Sequence, residues 1–168
     1  MKIFALCGSL RKESSNWKIL NAAKSYLHQH EWQFADLSLL PYFDPDLQYS
    51  EETPEIVLRT RKQAGASDVI VISTPEYAHG IPGMLKNGLE WIFNESTMQK
   101  PVFVIIGSAQ GQRVRDQLLE VLKTMDFKIE NESFLLFQGA RTKFNSTNQI
   151  TDANTKKQFE GFLDKIQV

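Results

Sequence analysis

The stretch Lys2-Ile3-Phe4-Ala5-Leu6-Cys7-Gly8-Ser9-Leu10-Arg11-Lys12-Glu13-Ser14-Ser15-Asn16 decides the fold. Its first six residues form an apolar run behind Lys2, stopped by a glycine, and read as a short buried strand. The rest is polar and rich in hydroxyls. It leads into Trp17, Leu20, Ala23 and Leu27, spaced along one face of a helix over residues 16–27. Strand, glycine-led loop and helix N-terminus together open a βαβ unit.

The pattern recurs to the end of the chain. Residues 32–37 form a weaker strand candidate, followed by a loop rich in proline and aspartate over 41–46. Thr53-Pro54-Glu55 offers a capping residue, proline at the first helical position and an acid in the first turn, which predicts a helix to about Ala66. Residues 69–72 read as a central strand. Pro82-Gly83 then opens a helix to Asn94 carrying Met84, Leu85, Leu89, Trp91 and Ile92. Residues 101–106 and 134–137 supply two more strands. Between them, 112–125 carries the apolar stripe Val114, Leu118, Val121, Leu122 and Met125, and 151–166 closes the chain with Phe159, Phe162, Leu163 and Ile166 on one face. Five strands alternating with five helices imply one α/β domain over residues 1–168, a parallel sheet with helices on both faces.

Composition narrows the function. A chain of 168 residues, 42% hydrophobic, buries a sizeable core without staples, and its single cysteine rules out an internal disulfide framework and the usual zinc sites. Lys+Arg number 19 against Asp+Glu 20, so there is no basic field to draw nucleic acid, and a small-molecule ligand is the default. The N-terminal apolar run stops at Gly8, too short for a signal-peptide core or a bilayer span. No membrane partner and a cytoplasmic location are expected.

In a doubly wound sheet the ligand lies beyond the carboxyl ends of the strands, where the strand order reverses. That directs attention to the loops after strands one, three and four. In the first, a helix N-terminus presents unpaired N–H groups, and the hydroxyls of Ser9, Ser14 and Ser15, the amide of Asn16 and the fork of Arg11 add donors for a phosphate monoester. Each serine taken alone reads equally as a helix cap, and Arg11 as a surface charge. The loop lacks the second and third glycines of a dinucleotide fingerprint, and no P-loop sequence occurs. Asp36, after strand two, imitates the ribose-binding acid of dinucleotide folds, a weak signal without those glycines.

The second loop reads Thr74-Pro75-Glu76-Tyr77-Ala78-His79-Gly80-Ile81-Pro82-Gly83. Two prolines stiffen it while Gly80 and Gly83 allow positive φ, so main-chain N–H groups can be aimed at the edge of a planar ring. Tyr77 reads as a ligand neighbour or as core packing, and His79 as the one histidine in a site loop. The third loop, Gly107-Ser108-Ala109-Gln110-Gly111-Gln112-Arg113, could close over a flat ligand from the other side. No nucleophile arrangement is present: Ser9 has no evident histidine partner, and Cys7, in an apolar strand end, reads as an inert thiol.

The two motifs Gly8-Ser9-Leu10-Arg11-x-x-Ser14-x-Asn16 and Pro75-Glu76-Tyr77-x-x-Gly80-Ile81-Pro82-Gly83-x-Leu85-Lys86-Asn87 resemble those of the NAD(P)H-dependent FMN reductase family, which includes quinone, azo-dye and chromate reductases. The resemblance spans nearly the whole chain. It implies a flavodoxin-like three-layer sandwich with strand order 2-1-3-4-5 and non-covalently held FMN. Ser9, Arg11, Ser14 and Asn16, with Ser15 beside them, would bind the phosphate. Pro75, Glu76 and Tyr77 would line the ring, with Ala78, His79 and Gly80 following, and the turn from Ser108 to Gly111 would approach it. Many relatives carry asparagine and serine where this chain has Ala78 and Gly80, so main-chain groups would serve there. It further implies NADPH or NADH as electron donor, a quinone, free flavin, azo compound or metal oxyanion such as chromate as acceptor, no catalytic side chain and a homodimer or homotetramer. An apolar spread around helix 83–94 favours a second copy over the alternative of burial inside one domain. A flavodoxin-like electron carrier or redox sensor is the alternative. A flavin-free phosphate-binding hydrolase or transferase ranks behind it for want of a general base.

Overall fold

The computed structural model describes residues 1–11, 13–145 and 148–167; Lys12 of the first loop lies outside them. Five strands, β1 (Lys2–Cys7), β2 (Glu31–Phe34), β3 (Val69–Thr74), β4 (Val102–Ile106) and β5 (Phe134–Leu136), pair in parallel in the order β2-β1-β3-β4-β5. The helices are α1 (Ser15–Tyr26), α2 (Glu55–Gly65), α3 (Gly83–Ile92), α4 (Gln112–Thr124) and α5 (Ala153–Leu163).

Alternation along the strands divides the core in two. Ile3, Ala5 and Cys7 of β1, with Val69, Val71 and Ile105, face α1 and α5, which contribute Ile19, Leu20, Ala23, Phe159, Phe162 and Leu163. Phe4, Leu6, Ile70, Ile72, Val104 and Ile106 face the other way, under α2, α3 and α4. The strands buried on both faces are therefore continuously apolar, and the helices carry the amphipathic signal. On α4, Val114, Leu118 and Leu122 are fully buried, each contributing about 1.5–3 kcal/mol relative to exposure; Val121 and Met125 of the expected stripe pack half-buried at its margin.

Several expected boundaries shift for identifiable reasons. Strand β2 ends at Phe34, the Ala35 N–H still donating to the Ala5 carbonyl at 3.0 Å, and the chain then turns away because the Asp36 carboxylate accepts the Ser38 N–H and caps a 3-10 turn over Leu37–Leu39. Thr53 does not cap α2: its hydroxyl donates to the Leu47 and Ser50 carbonyls, both at 2.7 Å, and Pro54 takes the cap position without a side-chain bond. The final helix starts at Ala153, with Asp152 accepting the Thr155 N–H at 2.8 Å, and finishes as a 3-10 turn over Asp164–Gln167. On α3, Leu85, Leu89, Trp91 and Ile92 are all fully buried within the chain. The apolar spread of that helix is thus consumed by its own domain and gives no support to a second copy.

Candidate functional site

At the switch point the β1–β3 ladder runs on into the first loop, where the Gly8 N–H donates to the Ser73 carbonyl at 2.8 Å. A Cβ on Gly8 would lie 2.3 Å from Thr74 Oγ1 and 2.8 Å from Thr74 Cβ, so glycine is required for the two strand ends to approach this closely. Beyond it Ser9 is buried, its Oγ accepting the Arg11 N–H at 3.4 Å and lying 3.4 Å from the Tyr77 hydroxyl of the second loop. Ser14 caps α1 by accepting the Asn16 N–H at 3.2 Å.

Asn16 lines the cleft that these loops form, and its side chain is also engaged within the fold. Its side chain is 2% exposed and ties three elements together: Oδ1 accepts from Ser73 Oγ at 2.9 Å and from the Gly107 N–H at 3.3 Å, while Nδ2 donates to the Gly107 carbonyl at 3.4 Å. The residue braces the ends of β3 and β4 against the start of α1. Trp17, expected on the buried stripe, stands half-buried with its indole N–H donating to the Ser9 carbonyl at 3.1 Å, and Ile19 takes the core position.

The second loop is a two-residue hairpin. Tyr77 and Gly80 exchange both main-chain bonds, N–H to carbonyl at 3.1 and 2.9 Å, around Ala78 at φ 48° and His79 at φ 61°. Positive φ at both central residues is the mirror-image turn that matches strand twist. The freedom that Gly80 and Gly83 allow goes unused: positive φ falls on Ala78 and His79, and Gly83 simply begins α3. Gln117 of α4 holds the turn, accepting the Ile81 N–H at 3.1 Å and donating to the His79 carbonyl at 3.4 Å. Glu76, its side chain 6% exposed, meets His79 Nδ1 at 3.1 Å through Oε1, while Oε2 is buried and has no donor among the described residues.

An alanine in the left-handed region costs about 1–2 kcal/mol, whereas asparagine tolerates it. Ala78→Asn is expected to stabilise the fold by about 0.5–1 kcal/mol, visible as a rise of roughly 1–4 °C in Tm. A fall in Tm would contradict the hairpin geometry.

These loops enclose a cleft of about 500 Å³. It brings together Ser9, Arg11, Ser14, Ser15 and Asn16, then Pro75, Glu76 and Tyr77, and Ser108 of the third loop. Ala78, His79 and Gly80 form the hairpin just beyond Tyr77, outside the lining. Gly111 also lies outside it: at φ 87° it caps α4, and a Cβ there would press on Ile106 at 2.9 Å. The sequence reading missed a fourth wall, Gly139 to Thr142 after β5, and the cation Lys18 on α1. Arg11, Lys18 and Arg141 outnumber Glu13 and Glu76 in the lining, which suits an anionic ligand.

Cys7 lies 2% exposed at the end of β1, with its thiol directed at the Ser9 carbonyl at 3.6 Å. Burial pushes its pKa up to about 12, outweighing that hydrogen bond. Iodoacetamide at pH 8 is expected to modify the folded protein roughly 100-fold or more slowly than the unfolded chain. Equal rates would contradict the burial. Among the described residues no group of three or more His, Cys, Asp or Glu could hold a metal ion, and no helix is long and apolar enough to cross a membrane.

An open parallel sheet of this order, with a cationic, hydroxyl-rich cleft at its switch point, defines a flavodoxin-like protein that binds a phosphorylated cofactor. The chain belongs to the NADPH-dependent FMN reductase family, whose model matches residues 1–141. It is 31% identical to the NAD(P)H:quinone oxidoreductase of Solanum tuberosum over 177 residues, covering 99% of this chain and 91% of that one. A 2-hydroxy-1,4-benzoquinone reductase of a Burkholderia species is 27% identical, with 98% and 93% covered. Among solved structures, FerB, a flavoenzyme NAD(P)H:(acceptor) oxidoreductase from Paracoccus denitrificans, superposes with a TM-score of 0.82 at 26% identity, covering 98% and 93%. The protein is thus an FMN-dependent oxidoreductase that takes electrons from a reduced nicotinamide nucleotide and passes them to a small-molecule acceptor.

Proposed function

We propose that FMN lies in the 500 Å³ cleft and that a quinone is the acceptor it serves. The convergence of three strand-end loops on one cleft, joined across it by Ser9 and Tyr77, carries this reading. The residues fit the group. Hydroxyls and main-chain N–H groups of the first loop, with Arg11, Ser15 and Lys18, hold the phosphate, and Ser14 and Asn16 fix the helix start that presents them. Pro75 to Tyr77 run along the ring, and the unpartnered Glu76 Oε2 offers an acceptor for a ligand donor. Ser108 closes the opposite side, while Ala78, His79 and Gly80 set the hairpin and Gly111 the turn behind it.

When bound, the flavin accepts hydride and releases electrons singly or in pairs; the chain supplies position, charge and access. Gln117 pins the hairpin so that the segment from Pro75 to Tyr77 leading into it is set before any ligand arrives, which removes a reorganisation cost from binding. No side chain is assigned a catalytic role.

The same reading makes the protein cytoplasmic and a homodimer or homotetramer, with no nucleic-acid or membrane partner. Leu39, Tyr42 and Tyr49, between β2 and α2, are 56%, 94% and 70% exposed and support a second copy; light scattering above the monomer mass of 19.2 kDa is the check.

The test is the absorbance of FMN-reconstituted protein, recorded anaerobically before and after NADH or NADPH. Saturable binding followed by bleaching, with colour restored by a benzoquinone, is expected. Binding without bleaching would return the electron-carrier reading, and no binding would overturn the site. Arg11→Ala should weaken FMN binding by about 1.5–3 kcal/mol, or roughly 10- to 150-fold in Kd. An unchanged Kd places Arg11 outside the site.

A further inference from the structure

A second cleft, of about 430 Å³, opens between the ends of β1 and β2 and shares Ser9 with the first. Its base is apolar and closed, from Cys7, Ala35 and Leu37, each 5% exposed or less. Trp17 and Phe34 stand along it, their ring centroids 5.8 Å apart and tilted by 33°. The rim carries Asp36. Its carboxylate is already oriented, because Oδ1 accepts both the Ser38 N–H at 3.0 Å and the Ser38 hydroxyl at 2.5 Å. Among the described residues no donor is paired with Oδ2.

An aromatic-sided slot with one fixed, half-used carboxylate at its rim suits a flat heteroaromatic base attached to a vicinal diol. Ionised carboxylates only accept hydrogen bonds, and a ribose offers two hydroxyl donors. We propose that this cleft takes the adenosine half of the reduced dinucleotide, with Asp36 accepting from the ribose diol, and that the protein therefore prefers NADH to NADPH. A 2′-phosphate would meet the Asp36 charge, and among the described residues no Lys or Arg lines the cleft to compensate it. Lys24 lies over the Phe34 ring, 5.5 Å from its centroid, outside that lining. The occupant is a nucleoside and not the electron acceptor, since the acceptor has to reach the ring in the first cleft. The inference rests on the flavin reading above.

The experiment titrates AMP and 2′,5′-ADP into FMN-reconstituted protein by calorimetry, with the Trp17 indole N–H followed by NMR. AMP is expected to bind saturably and move the Trp17 signal, and 2′,5′-ADP to bind roughly tenfold or more weakly. Asp36→Asn keeps an oxygen to cap the 3-10 turn, so the fold should survive. In that variant the gap between the probes is expected to close, and the ratio of kcat/KM for NADH over NADPH to fall with it. Equal affinities in the wild type, a Trp17 signal that neither probe moves, or a gap unchanged in Asp36→Asn would overturn the proposal. The titration involves no electron transfer, so its failure is distinct from a failure of the flavin to bleach with either nucleotide.

Discussion

Asn16→Ala is expected to lose about 2–4 kcal/mol of stability and to weaken FMN binding by an order of magnitude or more, although its side chain never has to touch the phosphate. The mutation removes the acceptor of a hydroxyl that has no water to turn to, since Ser73 is fully buried. It also frees the Gly107 carbonyl from the amide and leaves the Gly107 N–H only its bond to the Thr74 carbonyl at 3.0 Å. Melting curves should show Tm falling by roughly 5–15 °C, and flavin fluorescence titration the weaker Kd. Adding Ser73→Ala should cost less than the sum of the two single changes, because the orphaned hydroxyl goes with it. Wild-type values in the single variant would reduce Asn16 to a bystander.

The second large effect is at Gly8, where the smallest side chain meets the tightest contact in the switch point. Gly8→Ala places its Cβ against Thr74, and Thr74 is itself fully buried, with its hydroxyl committed to the Pro75 carbonyl at 3.0 Å. Relief requires β1 and β3 to part, at a cost of about 3 kcal/mol. The loops after both strands would separate with them, so loss of flavin binding should accompany a Tm roughly 6–12 °C lower. Thr74→Ala removes Oγ1 but not Cβ, so the double variant should recover part of the loss. If Gly8→Ala alone melts as the wild type does, the close approach of the strands is wrong.

What the sequence disclosed follows from where its signals are local. Strands β1, β3 and β4 carry continuous apolar runs stopped by Gly8, Ser73 and Gly107, and their positions were legible to within two residues. The stripe on α4 was equally plain. Strand β2 was blurred because it has one paired neighbour and Trp32, Gln33 and Phe34 are all half-buried, so neither alternation nor a continuous run marks its end. Phosphate-loop composition was readable from Ser9 to Asn16, but the direction of the Asn16 amide depends on Ser73 and Gly107, 57 and 91 residues away. The hairpin was misread for the same reason. Nothing near Ala78 and His79 announces a left-handed turn, and Gln117, which grips it, belongs to another helix. Arg141 was within reach, since it follows β5 and the rule that ligands gather beyond strand ends applies there as well.

Cys7 lines the base of the second cleft and stands two residues from the Ser9 shared by both, which bears on durability. Flavins engage dioxygen as well as organic acceptors, so a protein of this class works beside its own supply of oxidants. Sulfur enters the oxidation ladder as thiolate. Held as the neutral thiol by burial, the chain's only cysteine is kept from that first step, at the strand end that carries the cofactor loop.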